Sequence, residues 1–361
     1  MAKKKSGTPT GNTANDNFEA LQGKLSKLYG ESEARPLSSA DVLSNVAFST
    51  SSGSIVVDKV LSAGNPRPCT MWPFGRMVEV SGLNGTGKTT LCAQVAAQTQ
   101  KAGGIVVVVD TEERIAEDWW QTLGVDTSRV INLHANSIED VFNKQYEAIK
   151  MLHEHDPSQP MFLLWDSVGG TSTDLILEGK GTLMERANKV YGKEAKIIGT
   201  GLKALNGLVA KTKVAYTWTN HVYTKMGVSF GSKWETYGGE KLKFFATVRL
   251  QLGLMKTIWE EDAFGKKQKV GQVVEIKALK NSLGPMQMAK EAYLMGGEGF
   301  SNDRTIFEVG KQAGLIQMAG SWGTAHLGGD EVKFQGWKGF REKIIPHPKY
   351  PELYAMVLEF L

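Results

Sequence analysis

Residues Gly82 to Thr90 read GLNGTGKTT and fit the pattern G-x-x-x-x-G-K-[ST]. An apolar stretch, MVEVS, comes before them, and a helix-forming stretch, TTLCAQVAAQTQ, comes after, which is the strand–loop–helix setting that this motif requires. Glycines allow backbone N–H groups to surround a polyanion, and the start of a helix adds favourable partial charge. The stretch therefore predicts a nucleoside triphosphate site.

The residue types in this loop predict how the nucleotide is held. Lys88 can reach the β- and γ-phosphates, and the hydroxyl of Thr89 can ligate Mg²⁺. The stretch PMFLLWDS brings Asp166 to the carboxyl end of a second strand, where it can hold the same metal ion. The remaining residues predicted to line the nucleotide are Gly82, Asn84, Gly85, Thr86, Gly87 and Thr90.

A third strand, in VVVVDTEE, ends in a cluster of carboxylates at Asp110, Glu112 and Glu113. Alternation along a strand would place Glu112 on the same side as Asp110, near the active edge of the sheet. Hydrolysis needs a group that orients or deprotonates water, and we assign Glu112 as this general base. A solvated acidic turn is the alternative.

Farther from the loop, apolar runs alternate with helical patterns, which predicts an α/β fold with a mainly parallel sheet covered on both faces. The later runs follow each other closely, as antiparallel additions would. Past Ser282 the elements are shorter and glycines are frequent, which predicts a small C-terminal α+β domain from about Pro285. The apolar runs are RMVEVSG, GIVVVVD, PMFLLWD, KVAYTWTN, ATVRLQL and GQVVEIKAL.

Composition excludes several classes of protein. The 361 residues include 41% hydrophobic and 22% charged residues, ordinary globular values. No apolar run approaches the roughly 20 residues of a membrane span, and the basic start lacks the apolar core of a secretory signal. Cys69 and Cys92 are too few for a disulfide framework or a zinc site. We expect a cytoplasmic protein, and the net charge of +4 does not indicate nucleic-acid binding by itself.

The N-terminal region carries one helical pattern. Residues 1–17 are predicted to form a disordered tail, after which Phe18, Leu21, Leu25 and Leu28 recur at steps of three and four. Such a helix can pack on its own domain or, because a polar linker follows it, on a neighbouring subunit. The pattern does not decide between the two.

Taken together, the motifs resemble those of the RecA family of recombinases, including its phage UvsX-type members. The matching segments include GLNGTGKTT, VVVVDTEE, LLWDSVGG, LEGKG, GGEKLKFFATVRLQL, VEIKALKNSLGP and LMGGEGFSNDRTIFEVGKQAGLIQMAGSW. The resemblance implies a P-loop ATPase core at 46–284 that contains both DNA loops. It also implies an N-terminal oligomerisation helix and linker at 18–45 and a small C-terminal domain at 285–361.

The resemblance adds roles at the nucleotide. It implies that the ligands are ATP and Mg²⁺ and that Glu112 occupies the place of the base that activates water. Trp119 occupies the place of an aromatic ring that stacks near adenine. His221 occupies the place of a polar sensor of the γ-phosphate, which is usually glutamine in the family.

The resemblance also implies two DNA-binding loops. The second, TNHVYTKMGVSFGSKWETYGG from Thr219 to Gly239, includes Lys225 for phosphate contact and Met226 as a wedge between stacked bases. The first is expected near residues 178–192, with Lys196 and Lys203 on the following helix. The further residues expected to contact DNA are Tyr191, Tyr223, Thr224, Gly227, Gly238 and Gly239.

One departure from the family concerns ATP contacts between subunits. Family members commonly use two lysines, two positions apart, to reach the neighbouring subunit's ATP, whereas this chain has Lys280 followed by Ser282. Lys280 is expected to stabilise the transferred phosphate in trans. With serine at the second position, the rate of ATP turnover or its coupling to assembly is expected to differ from that of the family.

The resulting prediction is a DNA-dependent ATPase of homologous recombination that polymerises on single-stranded DNA and pairs it with a homologous duplex. Expected partners are other copies of the chain, single-stranded and double-stranded DNA, and single-strand-binding and mediator proteins. The expected location is the cytoplasm of a bacterial cell, including a phage-infected one. A RecA-fold helicase or motor and a non-catalytic mediator paralogue are the alternatives. A motor would unwind tailed duplexes without a homologous partner, and a mediator would lack DNA-stimulated ATP hydrolysis.

Overall fold

A computed structural model of the protein describes residues 11–31, 34, 46, 48–62, 71–190, 192–225, 234–261, 264–284 and 288–361. The chain divides into two compact units, residues 1–47 and 48–361. The first unit contains helix α1, Gly11–Tyr29. This helix starts seven residues before Phe18, within the segment predicted to be a disordered tail.

The second unit begins with the sheet and helices of an α/β core. In chain order these elements are β1 (Ser49–Thr50), α2 (Ile55–Ser62), β2 (Trp72–Pro73), β3 (Arg76–Gly82), α3 (Lys88–Lys101), β4 (Ile105–Asp110), α4 (Glu117–Thr122), β5 (Val130–Asn132), α5 (Ile138–His155), β6 (Met161–Asp166), α6 (Asp174–Leu177), α7 (Leu183–Val190), α8 (Lys193–Ala210), β7 (Val214–Thr224), β8 (Trp234–Thr236), α9 (Gly239–Phe245), β9 (Val248–Glu261), β10 (Lys267–Asn281), β11 (Ala289–Met295) and β12 (Gly299–Phe300). Short 3-10 turns lie at Thr127–Arg129 and Val168–Gly170.

The large sheet has the order β12-β11-β10-β9-β3-β7-β6-β4-β5, and β8 pairs with β7. Strands β9, β3, β7, β6, β4 and β5 are parallel to one another, whereas β8 pairs antiparallel with β7, and β10, β11 and β12 are added antiparallel beyond β9. The expectation of a mainly parallel sheet is confirmed. The expectation of antiparallel additions fails for β9, because α9 lies before it and lets the chain re-enter parallel to β3.

Each face of the sheet is covered by helices. One face packs on α2 and α3 through residues such as Val60 and Leu91, and the other packs on α5 and α8 through residues such as Ile149 and Leu202. All six residues of β6 are buried, which explains why its sequence is a continuous apolar run rather than an alternating one. The carboxyl ends of β3, β4, β6 and β7 therefore meet at one edge of a rigid layer.

The C-terminal part of the second unit is a small sheet with helices, as predicted. Its elements are α10 (Asn302–Gln312), β13 (Ile316–Ala319), β14 (Trp322–Leu327), β15 (Asp330–Gln335), α11 (Gly336–Lys343) and α12 (Tyr350–Phe360). The three strands are antiparallel, and their core is built around Phe307, Phe334, Phe340 and Leu353. Among the described residues, no helix combines the length and apolar character needed to cross a bilayer.

Candidate functional site

The loop between β3 and α3 surrounds the ammonium group of Lys88. The Lys88 Nζ atom donates hydrogen bonds to the carbonyl oxygens of Gly82 and Leu83, both at 3.1 Å. Burial lowers the pKa of Lys88, and the nearby carboxylates of Asp166 and Glu112 oppose that shift. Because α3 begins at Lys88, the free N–H groups of its first turn face the same space, and an anion there would meet both the ammonium and the helix dipole.

Strands β10 to β12 support this loop from the side. Gly87 has a φ of +91°, and a Cβ atom there would lie 2.8 Å from Leu294 Cδ2, so only glycine fits. The side-chain amide of the buried Gln272 donates a hydrogen bond to the carbonyl of Gly85. Nothing in the sequence around Gly85 indicates Gln272, because the two residues lie 187 positions apart.

The predicted metal ligands Thr89 and Asp166 are in contact. Thr89 Oγ1 donates to Asp166 Oδ2 at 2.6 Å, and the hydroxyl of Thr219 donates to Asp166 Oδ1. Burial raises the pKa of Asp166, although both hydroxyl donors lower it. A buried carboxylate beside a hydroxyl is an oxygen ligand pair of the kind that Mg²⁺ prefers, and a cation would offset the cost of burying the charge. The residues therefore fit the metal ion.

Asp110 shapes the turn that carries Glu112. Its carboxylate accepts backbone N–H hydrogen bonds from Glu112 at 3.1 Å, Arg114 at 2.9 Å and Ile115 at 2.9 Å. Strand β4 ends at Asp110, so the alternation of side chains along a strand does not extend to Glu112. Glu112 reaches the site because the Asp110 carboxylate folds the turn back on the sheet edge.

The Glu112 carboxylate is held by three side chains. Its Oε1 atom accepts a hydrogen bond from the Ser167 hydroxyl and lies 3.0 Å from His221 Nε2, and its Oε2 atom lies 3.2 Å from Arg114 Nη1. Burial raises the pKa of Glu112, but the hydrogen bonds from Ser167 and His221 and the two neighbouring charges outweigh burial, so the net shift is downward. Glu112 is therefore an ionised, oriented carboxylate.

Trp119 and Trp120 are adjacent on α4 but have different surroundings. Trp120 is buried in the core at 1% exposure, whereas Trp119 is half-buried and its indole N–H donates to Thr90 Oγ1 at 3.3 Å. Thr90 belongs to the first turn of α3, directly after the phosphate loop. The Trp119 ring thus lies beside the loop, where a nucleobase could contact it.

Comparison with known proteins shows which family the chain belongs to. Residues 18–301 match the family model described as the RecA N-terminal domain. The chain is 31% identical to Protein RecA of Cytophaga hutchinsonii, over 87% of this chain and 83% of that protein. It is also 31% identical to Protein RecA of a Nocardioides species, over 86% of this chain and 82% of that protein. The chain belongs to the RecA family.

The segment that resembles the second DNA loop of the RecA family leaves the sheet on β7. Strand β7 continues past His221 to Thr224, and it pairs with β8 through Val222–Thr236, Tyr223–Glu235 and Thr224–Trp234. The Tyr223 ring lies 5.0 Å from the ring of Tyr237, just before Gly238 and Gly239 at the start of α9. Met226 and Gly227 lie outside the described residues.

The residues expected to contact DNA do not all share one surface. Tyr223, Gly238 and Gly239 line a cavity of about 670 Å³ together with Gly192. Lys196 lines a different cavity, of about 500 Å³, with Phe142 and Leu175. Lys203 is exposed two turns farther along α8, and Tyr191 lies outside the described residues.

Lys280 caps a helix in this structure. Its Nζ atom donates to the carbonyl oxygens of Lys243 at 3.2 Å and Phe244 at 2.8 Å, near the C-terminus of α9. These carbonyls belong to the last turn of the helix, where a cation is favourable. Burial lowers the pKa of Lys280, and the charge of Arg249 lowers it further. A contact between Lys280 and ATP of another subunit would require the lysine to leave this cap.

A buried polar network links β3, β7 and β9 to the segment directly before α9, through contacts between residues that lie far apart in the sequence. Glu79, which is fully buried, pairs with Arg249 Nε and accepts a hydrogen bond from Asn220 Nδ2 at 3.1 Å. The same amide donates to the carbonyl of Tyr237 at 2.9 Å. A charged residue inside the apolar strand MVEVS was the available signal, because a buried carboxylate requires a partner.

Proposed function

We propose that this RecA-family chain is an ATP-dependent DNA strand-exchange protein. It polymerises on single-stranded DNA, pairs that strand with a homologous duplex and hydrolyses ATP, in the cytoplasm of a bacterial cell. One observation carries the proposal: β7 bears His221, in contact with Glu112, and ends at Thr224, directly before Lys225, within the segment that resembles a DNA loop. A single rigid strand thus connects the hydrolytic carboxylate to a DNA-binding segment.

In the proposed reaction, Lys88 and the first turn of α3 bind the triphosphate, and Trp119 contacts the base. Thr89 and Asp166 hold Mg²⁺, which neutralises charge on the phosphates when it is bound. Glu112, whose pKa lies below its ordinary value, stays ionised and acts as the general base that orients and activates the attacking water. Ser167 keeps the carboxylate pointed toward the nucleotide, and His221 contacts the same oxygen before the nucleotide binds.

The proposed coupling between ATP and DNA uses the direct contact of His221 with Glu112. A γ-phosphate beside His221 would compete with Glu112 for the imidazole N–H. Because His221 belongs to β7, a rotation of its side chain would displace the residues that follow on this strand. Tyr223 and Thr224 follow on the same strand, Lys225 comes directly after it, and all three would contact the DNA backbone. Sequence-tolerant binding follows, because contacts to phosphates and base faces do not read base edges.

The remaining DNA and subunit contacts rest on the family resemblance. Met226 wedges between stacked bases, and Gly227, Gly238 and Gly239 allow close backbone approach to phosphates. Tyr191, Lys196 and Lys203 form the first DNA surface, and Lys280 acts on the ATP of the adjacent subunit. In this scheme ATP lies between two copies of the chain and favours the assembled state that binds it better.

Electron microscopy of the purified protein with single-stranded DNA tests the proposal, with and without a non-hydrolysable ATP analogue. We expect helical filaments that need both DNA and the analogue, and joint molecules only with a homologous duplex. Protein that stays monomeric with both ligands would contradict the proposal. Unwinding of a tailed duplex without a homologous partner would instead indicate a motor.

A further inference from the structure

Glu235 lies at the base of the proposed DNA loop and pairs with two lysines. It stands opposite Tyr223 in the β7–β8 ladder, and its side chain is 11% exposed. Its Oε2 atom pairs with Lys225 Nζ, and its Oε1 atom pairs with Lys243 Nζ on α9. The carboxylate, which belongs to β8, therefore joins the residue directly after β7 to α9 through two ion pairs.

Lys225 is thus already neutralised in the absence of DNA. The proposed function assigns the Lys225 ammonium to a DNA phosphate, but here that ammonium has an internal anion as its partner. Lys225 is 45% exposed, so its ammonium can exchange one anion for another without disturbing the buried core. Lys243 is only 19% exposed, and Glu240 Oε1 also lies 2.6 Å from its Nζ atom, so Lys243 has two anions available.

We propose that Glu235 competes with DNA phosphate for Lys225, and that Lys243 holds the Glu235 carboxylate in place when Lys225 transfers to the DNA. The inference rests on the proposed function and adds an internal competitor to it. No covalent step is involved, since one ion pair is exchanged for another.

The charges of the cluster explain why such a competitor would matter. Lys225 and Lys243 are balanced by Glu235 and Glu240, so these four side chains together carry no net charge and offer little to a stray polyanion. Burial disfavours the ionised form of Glu235, but hydrogen bonds from Lys225 and Lys243 outweigh burial and lower its pKa to about 2. Glu235 therefore stays charged at any physiological pH, and only a competing anion can displace it from Lys225.

The experiment compares Glu235→Gln with Glu240→Gln in the full-length protein. Both variants remove one negative charge, but Glu240 pairs with Lys243 and not with Lys225, so it controls for the change in net charge. Binding of a fluorescent oligothymidylate is measured with a non-hydrolysable ATP analogue across a salt titration. We expect Glu235→Gln to bind about two- to fivefold more tightly at low salt, the factor that a partly exposed ion pair can contribute. Its salt slope should steepen by up to about 0.7 per subunit, while Glu240→Gln changes affinity less than about twofold.

A second comparison isolates Lys225. In a Lys225→Ala background, Glu235→Gln should no longer tighten binding, because the cation for which the two anions compete is gone. If Glu235→Gln does not fold, Glu235→Asp takes its place in the test. This substitution keeps the charge but moves it one methylene farther from Lys225, so it should tighten DNA binding by a smaller factor.

The outcomes separate this inference from the proposed function. Wild-type protein that binds DNA, together with a Glu235→Gln variant of equal or weaker affinity, would overturn the competition and leave the proposed function intact. Equal tightening by Glu240→Gln would also overturn it, by reducing the effect to net charge. Wild-type protein that does not bind single-stranded DNA would overturn the proposed function and the competition with it.

Discussion

The environment of Glu112 shows how neighbours define a carboxylate's task. Asp110 and Asp166 lie directly opposite each other in the β4–β6 ladder, yet one holds a turn through backbone N–H groups and the other contacts Thr89. Glu112 instead accepts a hydrogen bond from Ser167 and contacts His221. Three carboxylates close together in sequence or in space are thus directed to three different tasks.

Lys88→Ala should remove the contact to the β- and γ-phosphates. We expect ATP hydrolysis to fall at least about a hundredfold, the usual effect of deleting one group that stabilises transition-state charge. Nucleotide-dependent assembly should be lost as well. Steady-state hydrolysis and electron microscopy measure the two effects, and Lys101→Ala, in the last turn of the same helix, serves as the control. Normal filaments in ATP would contradict the phosphate assignment.

Ser167→Ala should shift the pH dependence of hydrolysis. The Ser167 hydroxyl stabilises the ionised form of Glu112 and lowers the pKa of that carboxyl, so its removal raises the pKa. The acidic limb of the kcat profile should then move to higher pH, because Glu112 becomes protonated earlier as the pH falls. Hydrolysis rates between about pH 4 and pH 8 test this prediction. The control is Ser158→Ala, which removes a hydroxyl that donates a hydrogen bond to the exposed Asp156 and should leave the pH profile of kcat unchanged.

Helix α9 connects the two ligand sites of the proposed function. Its N-terminus follows Tyr237 and Gly238, Lys243 within it pairs with Glu235, and its last turn is capped by Lys280. A seven-residue helix is too short to be stable alone, so its position depends on these contacts and on the burial of Leu242. Any ligand that takes Lys225 or Lys280 would change what holds α9.

Lys280→Ala separates two roles of that lysine. Loss of the helix cap should lower the free energy of unfolding by about 0.3 to 1 kcal/mol, as measured by urea denaturation. If Lys280 also acts on ATP in trans, DNA-stimulated hydrolysis should fall about a thousandfold, as for an arginine finger. Lys277→Ala, on the same strand, is the control and should change the free energy of unfolding and the rate of DNA-stimulated hydrolysis much less. A loss of stability without a loss of hydrolysis would restrict Lys280 to capping.

Taken whole, the chain comprises two compact units, and the N-terminal unit carries the apolar periodicity of α1. The family resemblance assigns this helix to packing between subunits, whereas the sequence pattern alone also allows packing within one subunit. Whether the chain still forms filaments after removal of this unit distinguishes packing between subunits from packing within one subunit.

A chain of residues 48–361 tests the role of α1. We expect this fragment to fold and to bind ATP, because the phosphate loop, Asp166 and Glu112 all belong to the second unit. It should not form filaments on single-stranded DNA, because the surface that joins one subunit to the next would be missing. Sedimentation and electron microscopy provide the measurement, and removal of residues 1–10 alone is the control. Filaments formed by the fragment would show that α1 does not join subunits.

The fold class and the phosphate loop followed from the sequence, because they depend on signals within a few residues: apolar strands, glycines, and Lys88 at the start of a helix. Contacts between distant segments had to come from the tertiary structure. Gln272 supports Gly85 across 187 residues, Lys280 caps α9, and Glu235 holds Lys225 and Lys243. Sequence periodicity predicts which side of a helix or strand is buried, but it does not indicate which polar groups meet at a sheet edge. Folding brings those groups together, and burial then makes each of them depend on its partner.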